Sequence, residues 1–288
     1  MGEQHKVIQW FPGHMAKTKR KIIESLKLVD AVAEIRDARI PISSENPDIL
    51  EITANKPRII LLNKSDLADN AITEKWINYY AEKGVKAIAF DCKGKNGIKN
   101  FNLGLKEVLK EKIEKNKQKG IKKALRIMVV GIPNVGKSSF INLLADKKAK
   151  VENRPGVTRG NQWFSAGDDL LLLDTPGVLW PKFEDETVGM HLAFTGAVKE
   201  SILNTEEIAF YLIKFLLTDN TYKEMLEKRY SLTFNSDDDA YDIICRIGAK
   251  RGMLVKGGET DTERASKMIA DEFKSGIIGK ISIEEPKV

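Results

Sequence analysis

Short apolar runs bounded by polar or glycine-rich turns recur along the chain at Leu28 to Ile35, Arg58 to Leu62, Val85 to Phe90, Leu125 to Val130 and Leu170 to Leu173. Runs of this length and setting predict buried parallel strands. Between them, Ala71 to Glu82 and Ile98 to Lys115 carry apolar residues at helical spacing, and helices are also expected at Met15 to Leu28 and Ser139 to Ala145. The repeating order of strand, loop and helix is that of an α/β fold. A half-exposed run, Gln162 to Ala166, predicts an antiparallel edge strand turning through Gly167-Asp168 into its neighbour. The stretch Lys110 to Lys123 has only Ile113 and Ile121 as apolar residues, which predicts an exposed helix end and connector. Beyond Trp180-Pro181 the strand signals stop, and helical patterns run through Glu206 to Leu217, Tyr222 to Arg229, Asp239 to Lys250 and Thr262 to Lys274. The expected architecture is therefore a mainly parallel six-stranded α/β domain over 1–180, followed by an all-helical domain over 181–288.

Composition narrows the class. At 288 residues, 42% hydrophobic and 31% charged, the chain has the balance of a soluble globular protein. No apolar run approaches the roughly 18 residues that span a bilayer, and Met1 to Trp10 lacks a signal-peptide core, so a cytoplasmic protein without membrane contact is expected. Cys92 and Cys245 have no Cys or His neighbours at metal-ligand spacing, which argues against a zinc module. The net charge of +6 gathers at Lys17 to Lys21, between Lys106 and Lys123, and at Lys250-Arg251 with Lys256. Such clusters suit an RNA-binding surface, or simply solvated helix faces.

The chemistry is concentrated in three segments. Gly131-Ile-Pro-Asn134-Val135-Gly136-Lys137-Ser138-Ser139 matches G-x-x-x-x-G-K-[ST], with the required strand before it and helix after it. Its glycines let backbone amides and a helix N-terminus approach phosphate, Lys137 would reach the β- and γ-phosphates, and Ser138 would ligate Mg²⁺. Leu170-Leu-Leu-Leu-Asp174-Thr-Pro-Gly177 follows about forty residues later. It offers a carboxylate for the Mg²⁺ shell and a glycine amide able to sense the γ-phosphate. Between them, Thr158 in Arg154-Pro-Gly156-Val-Thr158 can complete that shell from a switch-like loop. Asn63-Lys64-Ser65-Asp66 ends the Arg58 strand. Ionised Asp66 can accept from both N1 and N2 of guanine, whereas adenine offers no such donor pair. Asn63 would tie this turn to the phosphate loop and the Lys64 stem would cover the purine face. After the next strand, Asp91-Cys92 is a looser match to the turn that contacts guanine O6 through a backbone amide.

The guanine-reading segment thus precedes the phosphate loop, the reverse of the ordinary GTPase order. With this order, and with Trp10-Phe-Pro-Gly-His14-Met, Asp37-Ala-Arg-Ile-Pro41 and Asp174-Thr-Pro-Gly-Val-Leu-Trp-Pro-Lys-Phe183, the chain resembles the circularly permuted GTPases of the ribosome biogenesis GTPase A (YlqF) family. Chain termini in compact domains often lie close together, so old ends can be joined and new ones opened while the same sheet forms. The resemblance implies a P-loop GTPase that binds the large ribosomal subunit precursor and its rRNA in the GTP state and leaves on hydrolysis. Mg²⁺ is the cofactor the motif residues call for, and a monomer is expected as the working form. RNA contact would fall to the helical domain, through Asp239 to Lys250, Arg251, Lys256 and the turn Gly257-Gly258; that domain could equally be a lid or a dimer surface.

Val178 stands where many GTPases place a water-orienting glutamine, and it has no hydrogen-bonding group. The resemblance points to His14 as the substitute, unless His14 merely begins the following helix. It also points to Asn134 as a K⁺ ligand, although Asn134 could equally brace its loop. Two other functions compete: an RNA-binding assembly factor that holds GTP without turnover, and a GTPase of tRNA modification or membrane transport. Intact Lys137, Ser138, Thr158 and Asp174 argue against the first, and the motif order and lack of apolar spans against the second.

Overall fold

The computed structural model describes residues 15–145, 162–180, 185–198, 204–235 and 237–287. His14 and Thr158, with most of the two motifs that hold them, lie outside these residues. The chain divides into two compact units. Among the described residues one unit comprises 15–180 together with 282–287, and the other 185–281.

The first unit contains α1 (Met15–Leu26), β1 (Ala31–Asp37), α2 (Pro47–Thr53), β2 (Arg58–Asn63), α3 (Asn70–Glu82), β3 (Lys86–Ala89), α4 (Ile98–Val108), α5 (Lys110–Gln118), β4 (Leu125–Val130), α6 (Lys137–Leu144), β5 (Gln162–Ser165) and β6 (Leu170–Asp174). The strands form one six-stranded sheet in the order β3-β2-β1-β4-β6-β5, parallel except for the β5–β6 hairpin at the edge. The mainly parallel sheet with one antiparallel edge is the one the apolar runs predicted. Both faces are covered, as parallel sheets require. Strand register puts Val32, Ile60, Leu62, Met128 and Val130 on one face, where they pack with Ile22 of α1, Ile49 of α2 and Trp76 and Tyr80 of α3. The opposite face meets α4 and α6, whose Phe101 and Phe140 stack edge-to-face with ring centroids 5.1 Å apart. Buried charge interrupts the first face. Fully buried Arg36 donates to Glu34 at 2.8 Å and to the Tyr80 hydroxyl at 2.9 Å, and pairs with Glu45, so its own charge is compensated.

Several local details depart from the sequence pattern. β1 starts at Ala31, because Leu28 and Val29 are spent in the turn after α1, where their amides donate to Ser25 and Leu26 carbonyls. The run Ile98 to Lys115 is broken at Leu109 into α4 and α5. α2 begins at an Asn46 cap whose side chain accepts from the Asp48 and Ile49 amides, with Pro47 at the first helical position.

The second unit contains α7 (Glu186–Phe194), α8 (Thr205–Leu217), α9 (Asn220–Tyr230), α10 (Ala240–Lys250) and α11 (Thr262–Lys274). Each starts at an Asp or Asn that caps its first turn. α8, α10 and α11 pack on one another, and Ile208, Leu212, Ile244 and Ile269 on them are buried. Glu272 accepts from the Arg229 guanidinium and the Tyr230 hydroxyl, which ties α11 to α9. Lys250, Arg251 and Lys256 are exposed, and Gly257 and Gly258 adopt positive φ of 122° and 88° in a turn with open space around both. None of the helices among the described residues is long and apolar enough to cross a membrane.

Candidate functional site

Parallel strands present their C-terminal ends together, and ligands of open α/β sheets bind there. In this sheet those ends carry Asp37 of β1, Asn63 of β2, the 131–136 loop after β4 and Asp174 of β6. The three chemical segments, scattered over more than a hundred positions, therefore converge on one edge.

The phosphate loop is shaped by close backbone approach. Gly131 has φ 149°, and a Cβ there would collide with the Ile35 carbonyl of the adjacent strand. Gly136, at φ 103°, lies against the Asn63 amide with no room for a side chain. It is followed immediately by α6, whose N-terminus opens at Lys137. The Lys137 ammonium is buried and donates to the Ile132 carbonyl at 2.7 Å, folded over its own loop. Burial lowers its pKa to about 8, an effect partly offset by the Asp174 carboxylate. Ser138, Ser139 and Asn134 are exposed, Asn134 with φ 59°, while Val135 is buried.

Asn63 joins the elements. Its Nδ2 donates to the Val135 carbonyl at 2.7 Å, and its Oδ1 accepts from the Cys92 amide at 3.3 Å. One buried amide thus bridges the ends of β2, β3 and the phosphate loop. Lys64 takes φ 60°, and its ammonium meets Asp37 at 2.9 Å. Ser65 is pinned through both its amide, at 3.1 Å, and its hydroxyl, at 2.9 Å, to the Phe90 carbonyl. Asp66 remains partly accessible; burial and the neighbouring Asp91 raise its pKa. Asp91 is buried, and its carboxylate accepts from the Lys93 amide at 2.8 Å and the Gly94 amide at 2.9 Å. Burial, with Asp91 and Asp66 adding to it, pushes the Cys92 thiol up to about 12, so it stays protonated.

On the phosphate side, Thr175 donates to the Val129 carbonyl at 2.6 Å and fixes the turn after β6 to β4. Asp174 points a buried Oδ1 that has no hydrogen-bond partner among the described residues. Burial raises its pKa, and nearby Lys137 opposes the rise. An unsatisfied buried carboxylate oxygen beside a phosphate loop is what a divalent cation would satisfy, so the donor set fits Mg²⁺. No group of three or more His, Cys, Asp or Glu side chains able to hold a metal occurs among the described residues. A Mg²⁺ site made from one carboxylate, hydroxyls and phosphate oxygens does not need one. Gly177 packs against the loop so closely that a Cβ would stand 2.8 Å from Lys137 Nζ and 2.9 Å from Pro133 N. Val178 is buried, its carbonyl accepting from Asn46 Nδ2 at 2.7 Å.

The structure therefore brings together Asn63, Lys64, Ser65, Asp66, Asp91, Cys92, the 134–139 segment, Asp174 and Gly177. Asp37 and Arg39 belong to the same constellation. Sequence reasoning gave them no role, although a charged Asp-x-Arg at a strand end in an apolar setting was the available signal.

Sheet, phosphate loop and motif order define a circularly permuted P-loop GTPase. The profile described as 50S ribosome-binding GTPase matches residues 126–237. A ribosome biogenesis GTPase A of Priestia megaterium is 50% identical over 282 residues, covering 97% of each chain. Among solved structures, GDP-bound YlqF of Thermotoga maritima is similar with a TM-score of 0.64 and 28% identity, covering 93% of this chain and 99% of that one. GNP-bound YlqF from the same organism has a TM-score of 0.63 at 30% identity, covering 94% and 99%. The chain belongs to the ribosome biogenesis GTPase A family.

Proposed function

We propose that this GTPase binds the precursor of the large ribosomal subunit and its rRNA in the GTP state and is released by hydrolysis. What carries the reading is the convergence of a guanine reader at Asp66, a phosphate loop at Lys137 and a metal-ready carboxylate at Asp174 on one sheet edge, in a chain whose family works in ribosome biogenesis. The match to the 50S ribosome-binding GTPase family supports the large subunit as the partner. The exposed Lys250, Arg251 and Lys256 support the helical unit, 185–281 among the described residues, as the RNA contact. The cytoplasm is then its place of work, and a monomer its working form.

In this reading Asp66 accepts from guanine N1 and N2, Lys64 covers the base, and the Cys92 amide lies at the O6 side. The amides of Val135 to Ser139 and the α6 N-terminus face the phosphates. Lys137 leaves the Ile132 carbonyl for the β- and γ-phosphate oxygens, exchanging a neutral acceptor for anionic ones. Ser138, Thr158 and Asp174 would hold Mg²⁺, which supplies neutralisation of the charge shared by the β- and γ-oxygens. Asn134 offers a neutral amide oxygen on an exposed part of the loop, suited to K⁺ as an additional countercharge. Gly177 carries the amide that senses the γ-phosphate, and His14 orients the attacking water as a neutral imidazole acceptor. Water placement depends on a residue outside the phosphate loop, so turnover alone is slow and rises on the subunit.

Cosedimentation with large-subunit precursors tests this reading. Retention with a non-hydrolysable GTP analogue and loss with GDP is expected; equal retention in both states would overturn the switch.

A further inference from the structure

The segment 282–287 follows the helical unit in the chain and belongs to the sheet-bearing unit, where it contacts residues that flank the guanine-reading turn in sequence. Its contacts are specific. The amides of Ile283 and Glu284 donate to the Arg39 carbonyl at 2.9 and 3.2 Å. The Glu284 carboxylate accepts from the Ile42 amide at 2.7 Å, from the Ser43 amide at 3.0 Å and from the Ser43 hydroxyl. The Glu284 carbonyl accepts from Trp76 Nε1 at 3.0 Å, and Ser282 Oγ accepts from the Asp69 amide at 3.1 Å. The segment thus grips the 39–43 turn after β1 and, through Asp69 and Trp76, the cap and body of α3 that follows residues 63–66 in the chain.

The gripped turn leads directly to the site. The Arg39 guanidinium forks onto Asp37, with Nε and Nη2 each donating at 2.9 Å. Asp37 is buried, and its second oxygen also holds the Lys64 ammonium at 2.9 Å. Burial alone would raise the Asp37 pKa, but Arg39 and Lys64 hold it well below the usual carboxylate range, so the pair stays charged. Bidentate, charge-assisted contacts of this kind fix geometry as well as energy. Lys64 has the added need of support because its φ of 60° is a conformation that non-glycine residues rarely adopt.

We propose that 282–287 is a strap for the guanine subsite: Glu284 holds the 39–43 turn, Arg39 orients Asp37, and Asp37 acts as a positioning residue that sets Lys64 over the base. The proposal rests on the assignment of Lys64 and Asp66 to guanine.

The test measures Kd for GDP and for a non-hydrolysable GTP analogue, with urea midpoints, in Glu284→Ala, Asp37→Asn, Lys64→Met and the double variants with Lys64→Met. Glu284→Ala should weaken both nucleotides alike by about fivefold to tenfold, equivalent to about 1 to 1.4 kcal/mol. In the Lys64→Met background it should add less than about a factor of two, because coupled residues are non-additive. An unchanged Kd, or the same loss with Lys64 already removed, would overturn the strap; the second result is what a merely structural role gives. If Glu284→Ala does not fold, Ser43→Ala removes one donor to the same carboxylate and carries the same cycle. Failure of the guanine assignment looks different: Lys64→Met and Asp66→Ala would then themselves leave affinity unchanged.

Discussion

Replacing Asn63 by alanine should separate the guanine reader from the phosphate loop. The side chain is 3% exposed and makes two hydrogen bonds, 2.7 Å to the Val135 carbonyl and 3.3 Å from the Cys92 amide. A buried hydrogen bond contributes about 1 kcal/mol net, and a partner left unsatisfied costs about 1–3 kcal/mol. The longer Cys92 contact belongs at the low end. Water entering from the exposed crest of the loop would relieve the Val135 carbonyl in part, so the total loss is about 2–3 kcal/mol rather than the upper sum. Since Asn63 spans three strand ends, the loss should appear both in folding and in binding. Urea unfolding should show a lower midpoint with an unchanged slope, and titration with a fluorescent GDP should show affinity reduced about tenfold or more. Asn63→Asp, which cannot donate to a carbonyl, should behave no better. Wild-type midpoint and wild-type affinity together in Asn63→Ala would refute the bridging role.

Lys137 gives a pH signature. Its pKa falls from the ordinary 10.5 to about 8 by burial, so between these values the unfolded chain binds more protons and stability of the nucleotide-free protein rises with pH, while below about 8 the full cost of the buried charge applies. Phosphates facing Lys137 would restore its proton, so GDP binding should take up a proton above pH 8 and weaken towards pH 10; calorimetry in buffers of different ionisation enthalpy should detect this in the wild type and lose it in Lys137→Met. His14→Ala should lower kcat by about a hundredfold with nucleotide Kd unchanged, read by phosphate release on the subunit, and equal rates would remove the residue from the mechanism. Asn134→Ala should abolish any excess of turnover in KCl over NaCl, and a K⁺ response surviving the substitution would assign the cation elsewhere.

Much of the candidate site was legible because its signals are local. A glycine-rich loop between a strand and a helix, and a carboxylate ending an apolar run, are each written within ten consecutive residues. The break at Leu109 was not legible, because Lys110 to Gln118 continues with good helix formers and only the loss of buried residues marks the change. α2 had a readable start in Asn46-Pro47, whereas α7 shows little amphipathic contrast, since Gly189, Leu192, Ala193 and Phe194 crowd one another along its buried end. The link from Asp37 and Arg39 to Glu284 was beyond reach for a different reason. Glu284 meets Ser43 across 241 positions, and no periodicity encodes such a meeting. Asn63 lies between these cases: its tie to the phosphate loop was readable in the sequence, whereas its second bond, accepted from the Cys92 amide, emerges only in the folded sheet.

The proposed nucleotide site joins a guanine reader to a phosphate loop that follows it in sequence. Exchange of Asp66 for asparagine addresses it most directly, because an amide oxygen and amide donor suit xanthine, which carries a carbonyl where guanine carries an amino group. Competition titration of Asp66→Asn should show GTP affinity reduced about a hundredfold or more and XTP affinity raised above it, with hydrolysis of XTP retained through Lys137. GTP affinity equal to wild type, with no gain for XTP, would contradict the account.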